Sequence, residues 1–446
     1  MNELFSMVNK CVNPSRGEWR RLTERPAKDD PAVLASVEAT LEDVRKRGDD
    51  AVLDLEARFD GVAFPSPSDL KVSDEEIAEA AEAVPDELKK AIAQAYSNIR
   101  RFHEAQMPGV VRVETSPGVV CVQKAVPVRR VGLYVPGGSA PLFSSVLMLA
   151  VPARVAGCGE IVLCTPPDKK GKANPAIVYT ASFCGVKDIF KIGGAQAIAA
   201  MAYGTRTLAR CDKIYGPGNR YVMKAKQLVG LTEAATDMPA GPSEVMVLAD
   251  ETAVPEFVAA DFLSQSEHGP DSQSVLVCTS TAIADAVEEA IARQAESLER
   301  GGIVSKALEH SRIVVLEDRG DVVDFANEYA PEHLIISMAD PWEVADRIVA
   351  AGSIFIGNYS PESAGDYASG TNHTLPTSGW ACSFSGLNLD AFMRRMTIQE
   401  LSRDGLAGLA GTVRAMALAE GLDAHAAAVD VRLREGRVSN LENELS

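Results

Sequence analysis

From residue 130 to residue 357 the chain alternates apolar runs of strand length with helical segments, and this rhythm limits the fold more than any other feature. Strands are expected over Arg130 to Val135, Glu160 to Cys164 and Asp188 to Ile192, with helices over Leu142 to Val155, Ala176 to Cys184 and Ala195 to Tyr203 between and after them. Further strands are expected over Glu244 to Leu248, Ser274 to Cys278, Arg312 to Leu316, His333 to Ser337 and Ser353 to Gly357, most of them separated by helix-like segments. Glycines 157, 185 and 204 stand just past three of the helices, where a left-handed terminating residue is usually glycine. Strands joined through helices run parallel, because a parallel connection needs a long crossover. The pattern predicts an α/β fold with two Rossmann-like parallel-sheet domains and small helical N- and C-terminal extensions. Residues 31 to 107 read as helical, with a capping box at Ser73-Asp-Glu-Glu76. The Ala-rich tail from 397 to 446 is too small to bury a core alone. The expected borders are an N-terminal helical segment at 1–29, a discontinuous first α/β domain at 30–133 and 245–387, a second at 134–244, and a helical C-terminal extension at 388–446.

Charge narrows the partners. With 62 acidic against 44 basic residues the formal charge is −18, and a surface of that sign repels nucleic-acid phosphates and anionic lipid. No stretch reaches the roughly 18 apolar residues of a membrane span. The first 30 residues are polar, without the apolar core of a secretory signal, and the eight cysteines form no Cys-x-x-Cys pair. Together these features predict a cytoplasmic protein with reduced, mostly buried thiols.

In open parallel sheets ligands sit beyond the carboxyl ends of the strands, so the loops that follow strands are the place to look for chemistry. Three are rich in glycine: Val135-Pro-Gly-Gly-Ser-Ala140, Gly193-Gly-Ala-Gln-Ala197 and Tyr215-Gly-Pro-Gly-Asn219. Such loops let backbone N–H groups and a helix start approach a phosphate. None fits Gly-x-Gly-x-x-Gly, since Tyr221 stands where the third glycine belongs after Gly216 and Gly218. Spacing alone leaves dinucleotide binding and simple tight turns both open.

Of the six histidines, four lie beside other ligand-capable side chains: Gln265-Ser-Glu-His268, Glu332-His333, Asp366 through His373, and Glu420 through His425. A catalytic zinc takes about three N or O protein ligands and leaves a position for substrate. A mixed N/O set of this kind suits Mn²⁺ or Co²⁺ as well. The segments are distant in sequence, so their meeting in space is not given by the pattern itself.

The residues that carry these patterns also carry a resemblance. Val131-Gly-Leu-Tyr-Val-Pro-Gly-Gly-Ser-Ala-Pro-Leu-Phe143, Gly193-Gly-Ala-Gln-Ala-Ile-Ala199, Lys213-Ile-Tyr-Gly-Pro-Gly-Asn219, Asp237-Met-Pro-Ala-Gly-Pro-Ser-Glu244, Leu263-Ser-Gln-Ser-Glu-His-Gly-Pro270, Pro331-Glu-His-Leu334 and Ser360-Pro-Glu-Ser-Ala-Gly-Asp-Tyr-Ala-Ser-Gly-Thr-Asn-His373 resemble the histidinol dehydrogenases over nearly the whole chain, from about 20 to 440. The resemblance implies oxidation of L-histidinol through L-histidinaldehyde to L-histidine with two NAD⁺ and one water, as the last step of histidine biosynthesis. It implies one Zn²⁺ per subunit on Gln265, His268, Asp366 and His425, an acid–base pair of Glu332 and His333, and substrate contacts from Ser243, His373 and Glu420. Tyr134, Gln196 and Asn219 match positions that hold NAD⁺, which assigns the cofactor to the 134–244 domain. It further implies a domain-swapped homodimer, in which Glu420 and His425 of the tail complete the neighbour's site. The chain departs from the family pattern at Ser378-Gly-Trp-Ala-Cys-Ser-Phe384 and at Asp168-Lys-Lys-Gly-Lys172, outside the site motifs.

The residue types suit that chemistry. His333 is the expected base for the alcohol proton, because an imidazole titrates near neutral pH. Glu332 is expected to activate the water that adds to the aldehyde. Neighbouring strand residues face opposite ways, so the two share a site only if Pro331 keeps the strand entrance irregular. Two other readings use the same residues: a zinc and NAD dehydrogenase of another polar alcohol, such as a sulfonated diol, and a metallohydrolase without a dinucleotide. Glu420 and His373 weigh against the first, and the glycine loops ahead of helices against the second.

Overall fold

The computed structural model describes residues 8–26, 30–137 and 141–434. Among them run fourteen strands: β1 (Asn9–Val12), β2 (Val111–Ser116), β3 (Val119–Pro127), β4 (Arg130–Tyr134), β5 (Glu160–Thr165), β6 (Asp188–Lys191), β7 (Lys213–Tyr215), β8 (Ala235–Thr236), β9 (Glu244–Ala249), β10 (Gln273–Cys278), β11 (Arg312–Val315), β12 (His333–Ser337), β13 (Ser353–Ile356) and β14 (Met393–Leu401). The chain divides into two compact units: the residues up to Gln106 with Val128–Phe392, and Met107–Pro127 with the residues from Met393 on. No helix among the described residues is long and apolar enough to cross a membrane.

The larger unit holds two parallel sheets, as the strand–helix alternation requires. One has six strands in the order β1-β11-β10-β9-β12-β13, and the other five in the order β6-β5-β4-β7-β8. In the first sheet β9 is buried at every residue, with Val245 and Val247 packed into one apolar cluster and Met246 and Leu248 into another. Helices therefore cover both faces, which is why these strands read as unbroken apolar runs. Gly157, Gly185 and Gly204 take φ of +83°, +77° and +77°, ending three helices as expected.

The expected borders need three corrections. The segment 1–29 is not a helical extension alone: β1 pairs in parallel with β11 at the sheet edge, although most of its residues are exposed and it carries no clear strand pattern. The helices between residues 31 and 104 were expected to join the sheet of 245–387. Instead Val33, Val37, Leu41 and Val44 of the helix Pro31–Arg47 pack with Tyr134, Val162, Phe190 and Ile198, in the core of the five-stranded sheet. The tail is not purely helical either: β14 pairs antiparallel with β3, and β3 with β2, in a three-stranded sheet that builds the smaller unit with the helices Arg403–Ala419 and Asp423–Leu433. The glycine loop after β4 lies partly outside the described residues, at 138–140.

Candidate active site

Pairing of β9 with β12 sets His333 beside Val245, so the entrances of the two strands lie side by side. Glu332 and His333 meet there around the main chain of Glu244. Ala330 in left-handed conformation (φ +51°) and then Pro331 break the strand entrance, and Glu332 turns its carboxylate to accept from Glu244 N at 2.8 Å. His333 Nδ1 lies 3.3 Å from Glu244 O and 3.6 Å from Glu332 Oε2. The irregular entrance thus lets neighbours in sequence share one site. This is the amino edge of the six-stranded sheet, not the carboxyl edge that the general rule for parallel sheets selects. The helix Pro255–Ser266 follows β9 and runs back, so its last turn returns Gln265 to the beginning of the strand.

Gln265, fully buried, donates from Nε2 to Glu244 O at 3.3 Å and lies 3.0 Å from His333 Nδ1, while its carbonyl Oε1 is buried without a hydrogen-bond partner. His268 follows one turn later, with Nδ1 3.3 Å from Ser243 Oγ. Asp366, on the short helix Glu362–Tyr367, brings Oδ1 to 3.5 Å from His333 Nε2. His373 lies 2.9 Å by Nδ1 from the main-chain oxygen of Asp366 and 3.2 Å by Nε2 from Ser145 Oγ. Seven expected residues, Ser243, Gln265, His268, Glu332, His333, Asp366 and His373, thus belong to one connected neighbourhood of the larger unit.

Charge in this neighbourhood is set by burial against pairing. Burial opposes the imidazolium of His333, but the charge of Glu332 and the contacts with Asp366 and Glu332 outweigh it, and the ring is raised well above its usual range. Burial raises Glu332 despite the opposing pull of His333. Asp366 is lowered, since its bond to His333 and the nearby histidines overcome burial. His268 reaches solvent at its edge, yet the atoms packed around it disfavour the cation and lower it, as burial does for His373.

Glu420 and His425 belong to the smaller unit. Both are exposed and flank the turn between its helices, where Gly421 takes φ +72°. Among the described residues no three His, Cys, Asp or Glu side chains form a group ready for a metal ion. Of the expected ligands in the larger unit only His268 and Asp366 are of those types. The buried, unpartnered Oε1 of Gln265 is the observation that fits a cation ligand, because such an acceptor is costly unless something bonds it.

At the five-stranded sheet the expected cofactor residues do follow the carboxyl ends of strands. Tyr134 ends β4 and its Oη accepts from Gly194 N at 3.1 Å. Gln196 Nε2 donates to Glu56 Oε1 at 2.9 Å and Asp60 Oδ2 at 3.2 Å. Asn219 caps the helix Arg220–Thr232, its Oδ1 accepting from Tyr221 N and Val222 N. Gly216 (φ +121°) is forced by contact: a Cβ there would collide with the main-chain oxygen of Tyr134.

Several residues of these sites escaped the sequence reading. Glu244 gives its backbone to the site and its carboxylate to Arg25, at 3.0 and 3.2 Å. Glu362 accepts from Ser264 Oγ at 2.6 Å, and burial, partly offset by His333, pushes it up to about 8. Glu56 is fully buried, and burial first, then the charge of Asp60, push it up to about 8. Its Oε2 is buried without a hydrogen-bond partner. No spacing rule links Glu56 to a glycine loop 137 residues away.

The family model described as histidinol dehydrogenase matches residues 23–433. A histidinol dehydrogenase of Bacteroides thetaiotaomicron is 53% identical over 427 residues, 96% of this chain and 99% of that one. One of Vibrio parahaemolyticus is 52% identical over 417 residues, 93% of this chain and 95% of that one. A crystal structure of histidinol dehydrogenase from Elizabethkingia anophelis aligns with a TM-score of 0.93 at 47% identity, covering 96% of this chain and 98% of that chain.

Proposed function

The chain belongs to the histidinol dehydrogenase family, and from that premise we propose that Glu332 and His333 carry both steps from L-histidinol through the aldehyde to L-histidine. The supporting observation is their convergence on the Glu244 main chain beside Asp366 and the unpartnered Gln265 carbonyl.

Gln265, His268 and Asp366 would hold a zinc ion, with His425 from a second copy of the chain as the fourth ligand, and Tyr134, Gln196 and Asn219 would hold NAD⁺. When bound, the zinc orients the substrate and the NAD⁺ accepts hydride. His333 takes the hydroxyl proton in the first step. A cation held on Asp366 would compete with the ring for that carboxylate and so favour the neutral imidazole that acts as a base. Glu332, buried and raised, is a stronger base than an exposed carboxylate, and takes a proton from the water that adds to the aldehyde carbon. Ser243, His373 and Glu420 would position the substrate. Exposed Met416, Leu418, Leu422 and Val431 around Glu420 and His425 support a second copy covering this face in a homodimer.

Following the two half-reactions separately tests the assignment. His333→Asn is expected to slow both by about 10²–10⁴-fold, and Glu332→Gln chiefly the oxidation of the aldehyde. Equal losses in the two steps for Glu332→Gln would overturn this division.

A further inference from the structure

The start of the helix Gly194–Tyr203, where a glycine loop would ordinarily cradle a phosphate, is already occupied. Gly193 N donates to Glu56 Oε1 at 3.0 Å, Gly194 N to Tyr134 Oη, and Gln196 Nε2 to both Glu56 and Asp60. Space is missing as well. A Cβ on Gly193 would fall 2.8 Å from Pro166 Cβ and 3.2 Å from each carboxylate oxygen of Asp60. A phosphate here would meet a carboxylate and no room.

Glu56 and Asp60 are the two ends of one π-helical turn, Glu56–Asp60, a distortion that often marks functional positions. Glu56 is fully buried beneath, and Asp60 is half-buried above it. Lys169 Nζ bonds to the main-chain oxygen of Asp60 at 3.2 Å rather than to its carboxylate, which has no ion pair among the described residues. A carboxyl acceptor beside the cofactor residues, closing no ion pair and with its neighbours fixed, suits a donor with two hydroxyls.

We infer that Asp60, held by Gln196 and backed by Glu56, accepts the hydroxyls of the adenosine ribose of NAD⁺ and excludes the dinucleotide bearing a 2′-phosphate. This rests on the reading of the five-stranded sheet as the NAD⁺ site. A carboxylate accepts both hydroxyls of a vicinal diol through charge-assisted bonds, whereas a 2′-phosphate would set a dianion against it. Other dinucleotide folds use an acidic residue the same way, placed about 20 residues beyond the glycine loop. Here it arrives from a helix that precedes the whole sheet.

Calorimetric titration of the purified protein with NAD⁺, NADP⁺ and ADP-ribose tests this. Asp60→Asn is expected to weaken NAD⁺ and ADP-ribose by at least about tenfold, the loss of one hydrogen bond to a charged group, while NADP⁺ binding holds or improves. Asp60→Ser repeats the measurement if the Asn variant melts early. Wild-type NAD⁺ affinity in a folded Asp60 variant overturns the inference. Gln196→Ala separates it from its premise. If that variant loses NAD⁺ affinity and the Asp60 variants do not, the ribose assignment fails and the site reading stands; if neither loses affinity, both fail.

Discussion

Replacing Arg25 by methionine removes the charge that faces Glu244 and keeps an apolar stem. Glu244 is the hinge of the candidate site, because its N–H holds Glu332 and its carbonyl holds Gln265 and His333. Its carboxylate is 2% exposed and the Arg25 side chain 16%, with two hydrogen bonds between them and Tyr329 Oη at 3.4 Å. A buried carboxylate stripped of its cation costs about 3–5 kcal/mol. The remaining tyrosine bond and the partial exposure of Arg25 place this case near 3 kcal/mol, with about 1 kcal/mol more for the guanidinium lost from the Tyr329 face, 3.7 Å from the ring centroid. Urea unfolding followed by fluorescence reads the loss, because Trp19 is buried against Phe325 in the core beneath the same sheet. The double variant Arg25→Met with Glu244→Leu is expected to recover most of it, since apolar groups replace a buried ion pair at little cost. Turnover of histidinol should fall in the single variant. A wild-type urea midpoint for Arg25→Met, or losses that simply add in the double variant, would refute the reasoning.

Other outcomes are equally open to measurement. Glu56 is an acid whose folded value, about 8, lies above its usual 4.5. The folded state therefore holds the extra proton between those values, and stability falls as pH rises from about 4.5 to 8, by about 1 kcal/mol per unit. Denaturation at several pH values should show a slope shallower by about this amount in Glu56→Gln, which keeps the acceptor for Gly193 and Gln196, than in the wild type. Gly216→Ala should weaken NAD⁺ binding at least tenfold by calorimetry, since the new Cβ displaces the end of β4 and costs about 1–3 kcal/mol in backbone strain. Under native conditions a disulfide-exchange reagent should label one thiol rapidly, and Cys382→Ser should abolish that phase. Cys382 is the exposed one of the eight, while burial pushes Cys158, Cys184 and Cys211 up to about 12.

Much of the fold was readable because parallel strands covered on both faces are apolar throughout: β5, β6, β9, β10, β11 and β12 fall within a residue or so of their expected spans. The strands that were missed lack that signature. All nine residues of β14 are at least partly exposed, and β1 is a four-residue edge strand recognised only by its partner β11. The clustered His, Gln and Asp were legible because their motifs are local, and the broken entrance at Pro331 followed from the need for Glu332 and His333 to cooperate. What could not be read is whatever joins through space. The role of Glu244 comes from its main chain, which has no sequence signal, and the position of the site at the amino edge comes from the return of the helix Pro255–Ser266. Glu56 and Asp60 reach the second sheet from a helix that carries no motif.

One buried acid–base pair, Glu332 with His333, is proposed to serve two successive oxidations. The direct measurement is the amount of NADH formed per L-histidinol consumed by the purified protein with Zn²⁺ and excess NAD⁺. Two NADH and no free aldehyde are expected. One NADH with aldehyde released to solution would contradict that proposal.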